Sequence, residues 1–244
     1  MATKKSLKLM LPIIFISSIL LGCSFNKTDF EGVKGVGLTY SEYFKTYDGL
    51  DERQNIKYYK PVPIDEVESS LSEQVKKAIN TIDSNRLPFT VDDEKVYLIT
   101  SKDENGKIKN QVQLSYLSKS EYNEVDNFFI ISVTEVDENP LKKYDISDKY
   151  DSVGNELKKE ILTEDLPIYQ QVITTDSALL YTYYDYDVTK NSIVTVGTAA
   201  NEFYAYYNGY IYHIGYLIDK EKNNEEMQNK MLHLTREYIL GNSL

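Results

Sequence analysis

The chain has 244 residues, 41% of them hydrophobic and 27% charged, a globular composition that argues against collagen-like, polytopic-membrane and wholly disordered chains. Lysine and arginine total 27 against 38 acids, a net charge of -11, and non-specific nucleic-acid binding relies on clustered cations, so no nucleic-acid partner is expected. One cysteine allows no internal disulfide, and with only two histidines it leaves too few soft ligands for a structural zinc cage.

Lys4, Lys5 and Lys8 precede a nearly unbroken apolar run of thirteen residues from Leu9 to Leu21, followed by Gly22 and Cys23. This is the anatomy of a signal peptide, and the run is too short for the roughly 20 apolar residues of a membrane-spanning helix. Leu20-Leu21-Gly22-Cys23 resembles the lipobox of bacterial lipoproteins: a branched apolar residue three before the cysteine, and a small residue directly before it. The resemblance implies that Cys23 receives a diacylglyceryl group and that a dedicated peptidase recognises Leu20, Leu21 and Gly22. Cleavage before Cys23 then leaves a mature chain of residues 23 to 244 on the extracytoplasmic face of the cell membrane, with membrane lipid as the partner of Cys23. Two acyl chains, at about 0.8 kcal/mol per buried methylene, hold a protein far more firmly than one. The alternatives are a secretory signal followed by a free cysteine and an uncleaved helical anchor, and both still leave the domain outside the cytoplasm. Cleavage removes three lysines, so the mature balance is 24 minus 38, or -14. The preference for lysine, with only three arginines, and the abundance of Asn, Ile and Tyr point to an AT-rich genome and a Gram-positive host.

Residues 23–37, with Gly32, Gly35 and Gly37, read as a flexible tether. Gly35-Val36-Gly37 fails as a dinucleotide fingerprint, because Tyr40 stands where the third glycine belongs and no strand is expected before it. Thr39 and Glu42 have capping-box spacing for a short helix through about Tyr47, which Asp48-Gly49 stops. Val67, Leu71, Val75, Ala78, Ile79 and Ile82 fall at helical spacing over Asp65 to about Asp83.

Beyond Pro88 the punctuation predicts strands: Val96 to Thr100, Gln111 to Leu117, Phe128 to Val136, Glu156 to Leu162, Ile168 to Thr174, Leu179 to Tyr186 and Ile193 to Gly197. Phe203 to Tyr207 and Tyr210 to Tyr216 flank Asn208-Gly209, the strongest short-range hairpin signal. A last helix starts near Asn223, carries the stripe Met227, Met231, Leu234 and Tyr238, and ends at Gly241. Helix, many consecutive strands, then helix predict a single α+β domain over residues 38–244, with an antiparallel, curved sheet and helices on one face.

Tyrosine is the unusual component: 22 residues, no tryptophan, and eleven tyrosines between Tyr169 and Tyr216. A ring with a polar tip contacts sugars or peptides by stacking and hydrogen bonding. Tyr204, Tyr206, Tyr210, Tyr212 and Tyr216 are therefore the candidate binding surface, although tyrosine is also a preferred strand residue in ordinary cross-strand pairs.

No catalytic signature emerges. His213 and His233 belong to no motif, Gly-x-Ser-x-Gly and His-Glu-x-x-His are absent, and Ser24-Phe25-Asn26-Lys27 lies beside the anchor, where nothing would preorganise it. A calcium loop counted from Asp185 and Asp187 fails at Lys190 and Val196, where it needs Gly and Glu, so no metal or cofactor is expected.

The stretch from about Ala78 to Ile239 resembles small extracytoplasmic domains of Gram-positive lipoproteins and of some anti-sigma-like membrane proteins, and more distantly curved-sheet lipoprotein-sorting folds. The resemblance rests on Leu87-Pro88-Phe89, the Phe128 to Val136 strand, Leu180-Tyr181-Thr182-Tyr183-Tyr184, Tyr212-His213-Ile214-Gly215-Tyr216 and the Glu-rich last helix. It implies a fold and a location, and it transfers no catalytic residue. The expected function is a lipid-anchored, non-enzymatic binding or assembly module, with an envelope protein or glycan as partner. The alternatives are an envelope hydrolase using a pair of acidic residues and a structural part of a larger assembly.

Overall fold

In the computed structural model the described residues are 30–64, 76, 79–122, 124–144, 148–163, 165–174 and 180–241. The leader, Cys23 and most of the helix expected over Asp65 to Asp83 lie outside them. Nine strands form one open antiparallel sheet in the order β1-β2-β3-β4-β5-β11-β10-β7-β6. They are β1 (Gly32–Val33), β2 (Gln54–Tyr59), β3 (Asp93–Lys102), β4 (Ile108–Lys119), β5 (Val125–Glu135), β6 (Glu156–Thr163), β7 (Leu166–Val172), β10 (Asn201–Tyr207) and β11 (Tyr210–Leu217). A separate hairpin pairs β8 (Leu180–Asp187) with β9 (Ser192–Ala199). Besides Lys76, which is helical, the α-helices among the described residues are the one-turn α1 (Lys45–Asp48) and the C-terminal α2 (Glu225–Leu240). The α+β class holds in this coarse form, as a mostly antiparallel β protein with few helices.

Local chemistry explains the turns. Asn208 and Gly209 take φ of 50° and 87°, so the two-residue connection matches the twist of β10 and β11, with Tyr207 opposite Tyr210. Between β3 and β4 the Asp103 carboxylate accepts from the N–H groups of Asn105 and Lys107, which folds the polar loop back on itself. The cap of α2 is Asn224, one residue later than the spacing suggests, and its side-chain oxygen accepts from the N–H of Met227 at 3.0 Å. Gly241, at φ 70°, ends the helix.

Alternation gives the main sheet two different faces. One carries Val112, Leu114, Phe129, Ile131, Phe203 and Ile214, and α2 covers it with Met231, Leu234, Tyr238 and Ile239. Each such side chain contributes about 1.5–3 kcal/mol when fully buried. The opposite face carries Gln111, Gln113, Ser132, Thr134, His213 and Glu202, all buried. It is covered by residues 37–53, by the 3₁₀ turn Pro140–Lys143 and by the β8–β9 hairpin, whose side chains Phe44, Leu50, Leu141, Tyr184 and Ile193 form a second core with Tyr97, Tyr169 and Tyr204.

Three expectations are corrected. The tether expected over 23–37 is built into the fold from Phe30 onward: β1 pairs with Tyr58 and Tyr59, Lys34 bridges Ser192, and a Cβ on Gly35 would collide with the Tyr58 ring at 2.4 Å. Strand β2, which the sequence reading passes over, joins β1 to β3; Asn55 takes φ 51° at the irregularity between Gln54 and Lys57, which disguises the alternation. The helix expected from Thr39 begins at Lys45, because the N–H of Thr39 donates to the Tyr184 hydroxyl and its carbonyl accepts from Gln111, leaving Ser41 to accept from the N–H of Phe44.

Candidate functional site

The polar face acts as a row of fasteners for residues 37–53. The Gln111 amide donates to the Thr39 carbonyl at 2.7 Å and to Thr134 Oγ1 at 2.8 Å, while its oxygen accepts from the Tyr184 hydroxyl at 2.6 Å. Gln113 substitutes for a missing strand: its Nε2 donates to the Tyr184 carbonyl at 2.9 Å, and its Oε1 accepts from the Tyr184 N–H at 2.7 Å. One side-chain amide thus satisfies both backbone groups on the inner edge of β8.

Further along the row, Ser41 Oγ donates to Glu202 Oε1 at 3.1 Å, and His213 Nε2 lies 2.5 Å from Glu202 Oε2. All three side chains are buried, and among the described residues His213 Nδ1 has no partner. These are the residue types of a hydrolytic triad in an unproductive order. The carboxylate stands between serine and histidine, so the imidazole is not placed to take the hydroxyl proton. Phe44 stacks on Tyr204 with centroids 4.2 Å apart, and the Tyr204 hydroxyl donates to Asp48 Oδ2 at 2.9 Å. Asp48 Oδ1 accepts from the N–H of Leu50. Burial pushes the Asp48 carboxyl up to about 6, opposed by those hydrogen bonds and by the nearby His213.

Held in this way, residues 43–53 meet the loop after β5 at one end of the sheet, where two clefts open. The first, of about 530 Å³, is lined by Tyr47, Glu52, Arg53, Glu104, Asp137 and Lys142, among others. The second, of about 660 Å³, is lined by Lys142, Tyr144, Lys159, Glu160, Asp165 and Tyr169, among others, and the two share Asn139 and Lys142. Between them runs an aromatic ridge. Tyr47 and Tyr144 meet edge to face at 4.6 Å, Tyr43 lies 6.3 Å from Tyr144, and Tyr47 is 40% exposed.

Beneath the first cleft, Lys109 is buried with its Nζ 2.5 Å from Asp137, 3.7 Å from Glu135 and 4.0 Å from Asp103. The hydrogen bond from Lys109 holds Asp137 below the usual carboxylate range. Arg53 donates to the Glu135 carbonyl at 3.0 Å, and burial lowers its guanidinium.

The five tyrosines expected to form a binding surface are not brought together. Because Tyr207 opposes Tyr210, even positions on β10 share a face with odd positions on β11. Tyr204 and Tyr206 therefore lie on the polar face beside Ile211 and His213, whereas Tyr210, Tyr212 and Tyr216 lie on the α2 face beside Phe203 and Ala205. Tyr204, Tyr212 and Tyr216 are 1%, 4% and 0% exposed, so they serve the core; Tyr206 and Tyr210 are half-buried. The parity of a two-residue turn is the signal that would have separated them. Nothing in the sequence points to Tyr43, Tyr47 and Tyr144, which meet through contacts across about a hundred residues.

Leu20, Leu21, Gly22 and Cys23, the expected lipobox, lie outside the described residues. Asp187 caps its own turn by accepting from the N–H groups of Thr189 and Lys190. Among the described residues no group of three or more metal-ligating side chains converges, and no helix is long and apolar enough to cross a membrane. Comparison with known proteins adds no relative: no family model, no curated protein and no solved structure matches the chain.

Proposed function

We propose that this chain is a lipid-anchored, extracytoplasmic and non-enzymatic binding module of the bacterial cell envelope, fastened through Cys23, with an envelope glycan as its ligand. The observation that carries the reading is the ridge of Tyr43, Tyr47 and Tyr144 between two polar clefts. The exposed ring of Tyr47, beside the half-buried rings of Tyr43 and Tyr144, offers flat apolar surface for the C–H faces of sugars, and the flanking lysines, amides and carboxylates offer hydrogen bonds to hydroxyls. The lipobox supports the address, and the net charge of -14 left after cleavage, 24 minus 38, suits a domain that stands off anionic headgroups. The same reading keeps a curved sheet and an amphipathic helix from Asp65, cut short of the expected Asp83 because residues 79–83 are not helical. After the helix Ile79 and Ile82 pack on the α2 core, and Asn80 Nδ2 donates to the Tyr238 carbonyl at 2.7 Å.

The geometry favours this over a hydrolase. Asp48 is raised and Asp137 lowered in one cleft, as an acid and its partner would be, but both Asp48 oxygens accept bonds from within the fold, and Asp137 is tied to Lys109.

The test is calorimetric titration of the protein with soluble fragments of cell-wall glycan. Tyr47→Ala and Tyr144→Ala should each weaken binding about tenfold, equivalent to roughly 1.4 kcal/mol. Binding that both variants leave unchanged, or turnover of the fragments, would overturn the reading. Separately, Cys23→Ala should move the protein out of the membrane fraction.

A further inference from the structure

Towards the β1 margin the α2 face of the main sheet changes from apolar to basic. Leu98 of β3 and Val112 of β4 still pack in the core under α2. Two residues further along the same face stand Lys57, Thr100 and Asn110, and beyond them Gln54, Lys102 and Ile108, aligned by the pairing of β2, β3 and β4. Lys34 follows Val33, whose partner is Tyr58, and so comes beside Lys57. Lys34, Lys57, Lys102 and Ile108 are exposed, Ile108 to 61%. None of these positions is acidic, and among the described residues none of the three lysines has an ion-pair partner.

Like charges that face each other across neighbouring strands repel, so such a group is costly unless an anion relieves it. Elsewhere the chain supplies that anion itself: Lys60 meets Glu31, Lys95 and Lys119 share Asp93, and Lys158 meets Glu156. The entry of the chain into the fold fixes what lies near the unpaired group. Phe30 packs against the α2 core and β1 is paired to β2, so the fold begins seven residues after Cys23. Seven residues reach at most about 25 Å when fully extended. A domain anchored at Cys23 therefore holds Phe30 within that distance of the lipid surface, with Lys34 four residues beyond.

We propose that the face of Lys34, Lys57, Lys102 and Ile108 docks on the anionic phospholipid of the membrane that holds the anchor, an inference that rests on the lipid attachment at Cys23 proposed above. Charge complementarity selects this occupant. The mature chain carries -14, 24 minus 38, so its acidic bulk stands off the headgroups while this face meets them. Ile108 adds an exposed apolar side chain among the cations, the combination that suits a headgroup boundary. Each lysine near such a surface shifts the equilibrium about fivefold towards the docked state. The ridge of Tyr43, Tyr47 and Tyr144 belongs to the cover of the opposite face of the sheet, so docking turns it away from lipid and towards the envelope glycan.

The experiment places the lipidated protein in vesicles of phosphatidylcholine, alone or mixed with phosphatidylglycerol. Flotation reports the anchor, and reaction of lysines with a water-soluble acetylating reagent, read by peptide mass spectrometry, reports the docking. The expected protein floats with both vesicles. Lys34, Lys57 and Lys102 react about tenfold more slowly on the phosphatidylglycerol vesicles, while Lys142, beside the ridge, reacts alike on both. Salt at about 1 M, which shortens the screening length to roughly 3 Å, should erase the difference. Lys57→Glu, at an exposed position, should restore fast reaction at Lys34 and Lys102. Flotation with both vesicles but equal rates at the three lysines overturns the docking and leaves the anchor standing, whereas flotation with neither overturns the anchor and the docking together. Slowing that Lys142 shares, or that survives Lys57→Glu, overturns the proposal. Protection by a soluble anionic glycan in detergent, absent on the vesicles, would assign the face to a polymer and overturn it too.

Discussion

The two faces of the main sheet are written by alternate residues of the same strands, yet they hold their covers by different physics. On the α2 side, Leu114, Ile131, Phe203 and Ile214 meet Met231, Leu234 and Tyr238 through shape and apolar area, which are non-directional and tolerate volume-conserving exchange. On the opposite side, Gln111, Gln113, Glu202 and His213 hold residues 37–53 and the β8–β9 hairpin through directional bonds. A regular helix satisfies its own backbone and needs only a stripe of apolar contacts. An irregular segment has no internal ladder, so the sheet must supply its partners. The clefts and the ridge of Tyr43, Tyr47 and Tyr144 arise on the second side because only such a segment leaves loops free to shape a surface.

The comparison breaks most sharply at Phe203, which is fully buried on the apolar face and stacked with Tyr216 at 5.6 Å. Phe203→Ala should cost about 3–5 kcal/mol in urea unfolding and lower the stability of the whole sheet together. Next comes Glu202, its neighbour on the polar face. Glu202→Ala strips Ser41 and His213 of their shared partner, at a cost of about 3 kcal/mol. Replacing Glu202 and His213 together by leucine should recover part of this loss, since no polar group of the pair is then left orphaned.

Gln113→Leu should cost about 1–3 kcal/mol, by leaving the N–H and carbonyl of Tyr184 without partners. Its signature is faster amide exchange along β8 while α2 stays protected.

The smallest effect, at Asp48, depends on pH. The folded protein keeps this proton up to about pH 6, whereas an unfolded chain releases it near 3.8, so the neutral form is the stabilising one. Its contribution is complete below pH 3.8 and is lost as the pH rises through about 6. Asp48→Asn should therefore raise stability above pH 6 by on the order of 1–2 kcal/mol and flatten that part of the stability profile, as followed by urea titration across this range.

Much of the sheet was legible because local signals agree with it. Asn208-Gly209 sets a turn whose residues both need positive φ, Phe128 to Val136 is a continuous run buried on both faces, and the Met231, Leu234, Tyr238 stripe has the helical period. β2 was hidden by the positive φ of Asn55, and the anchoring of β1 and Lys34 by partners at Tyr58, Tyr59 and Ser192 that no local pattern reveals. The candidate site was the least legible part. A tyrosine reads alike whether its ring is buried, as at Tyr204 and Tyr216, or exposed, as at Tyr47, and only long-range packing decides which. Local sequence also makes Thr39 a plausible cap, and its tertiary bonds to Tyr184 and Gln111 override that preference.

The most direct test is amide hydrogen exchange of Glu202→Ala beside Phe203→Ala, two neighbours on one strand that face opposite ways. The account predicts that Glu202→Ala opens residues 39–50 while α2 keeps its protection, and that Phe203→Ala lowers protection in both regions alike. Equal loss in both regions from Glu202→Ala would contradict the claim that the bonds of the polar face hold residues 39–50 independently of the α2 side.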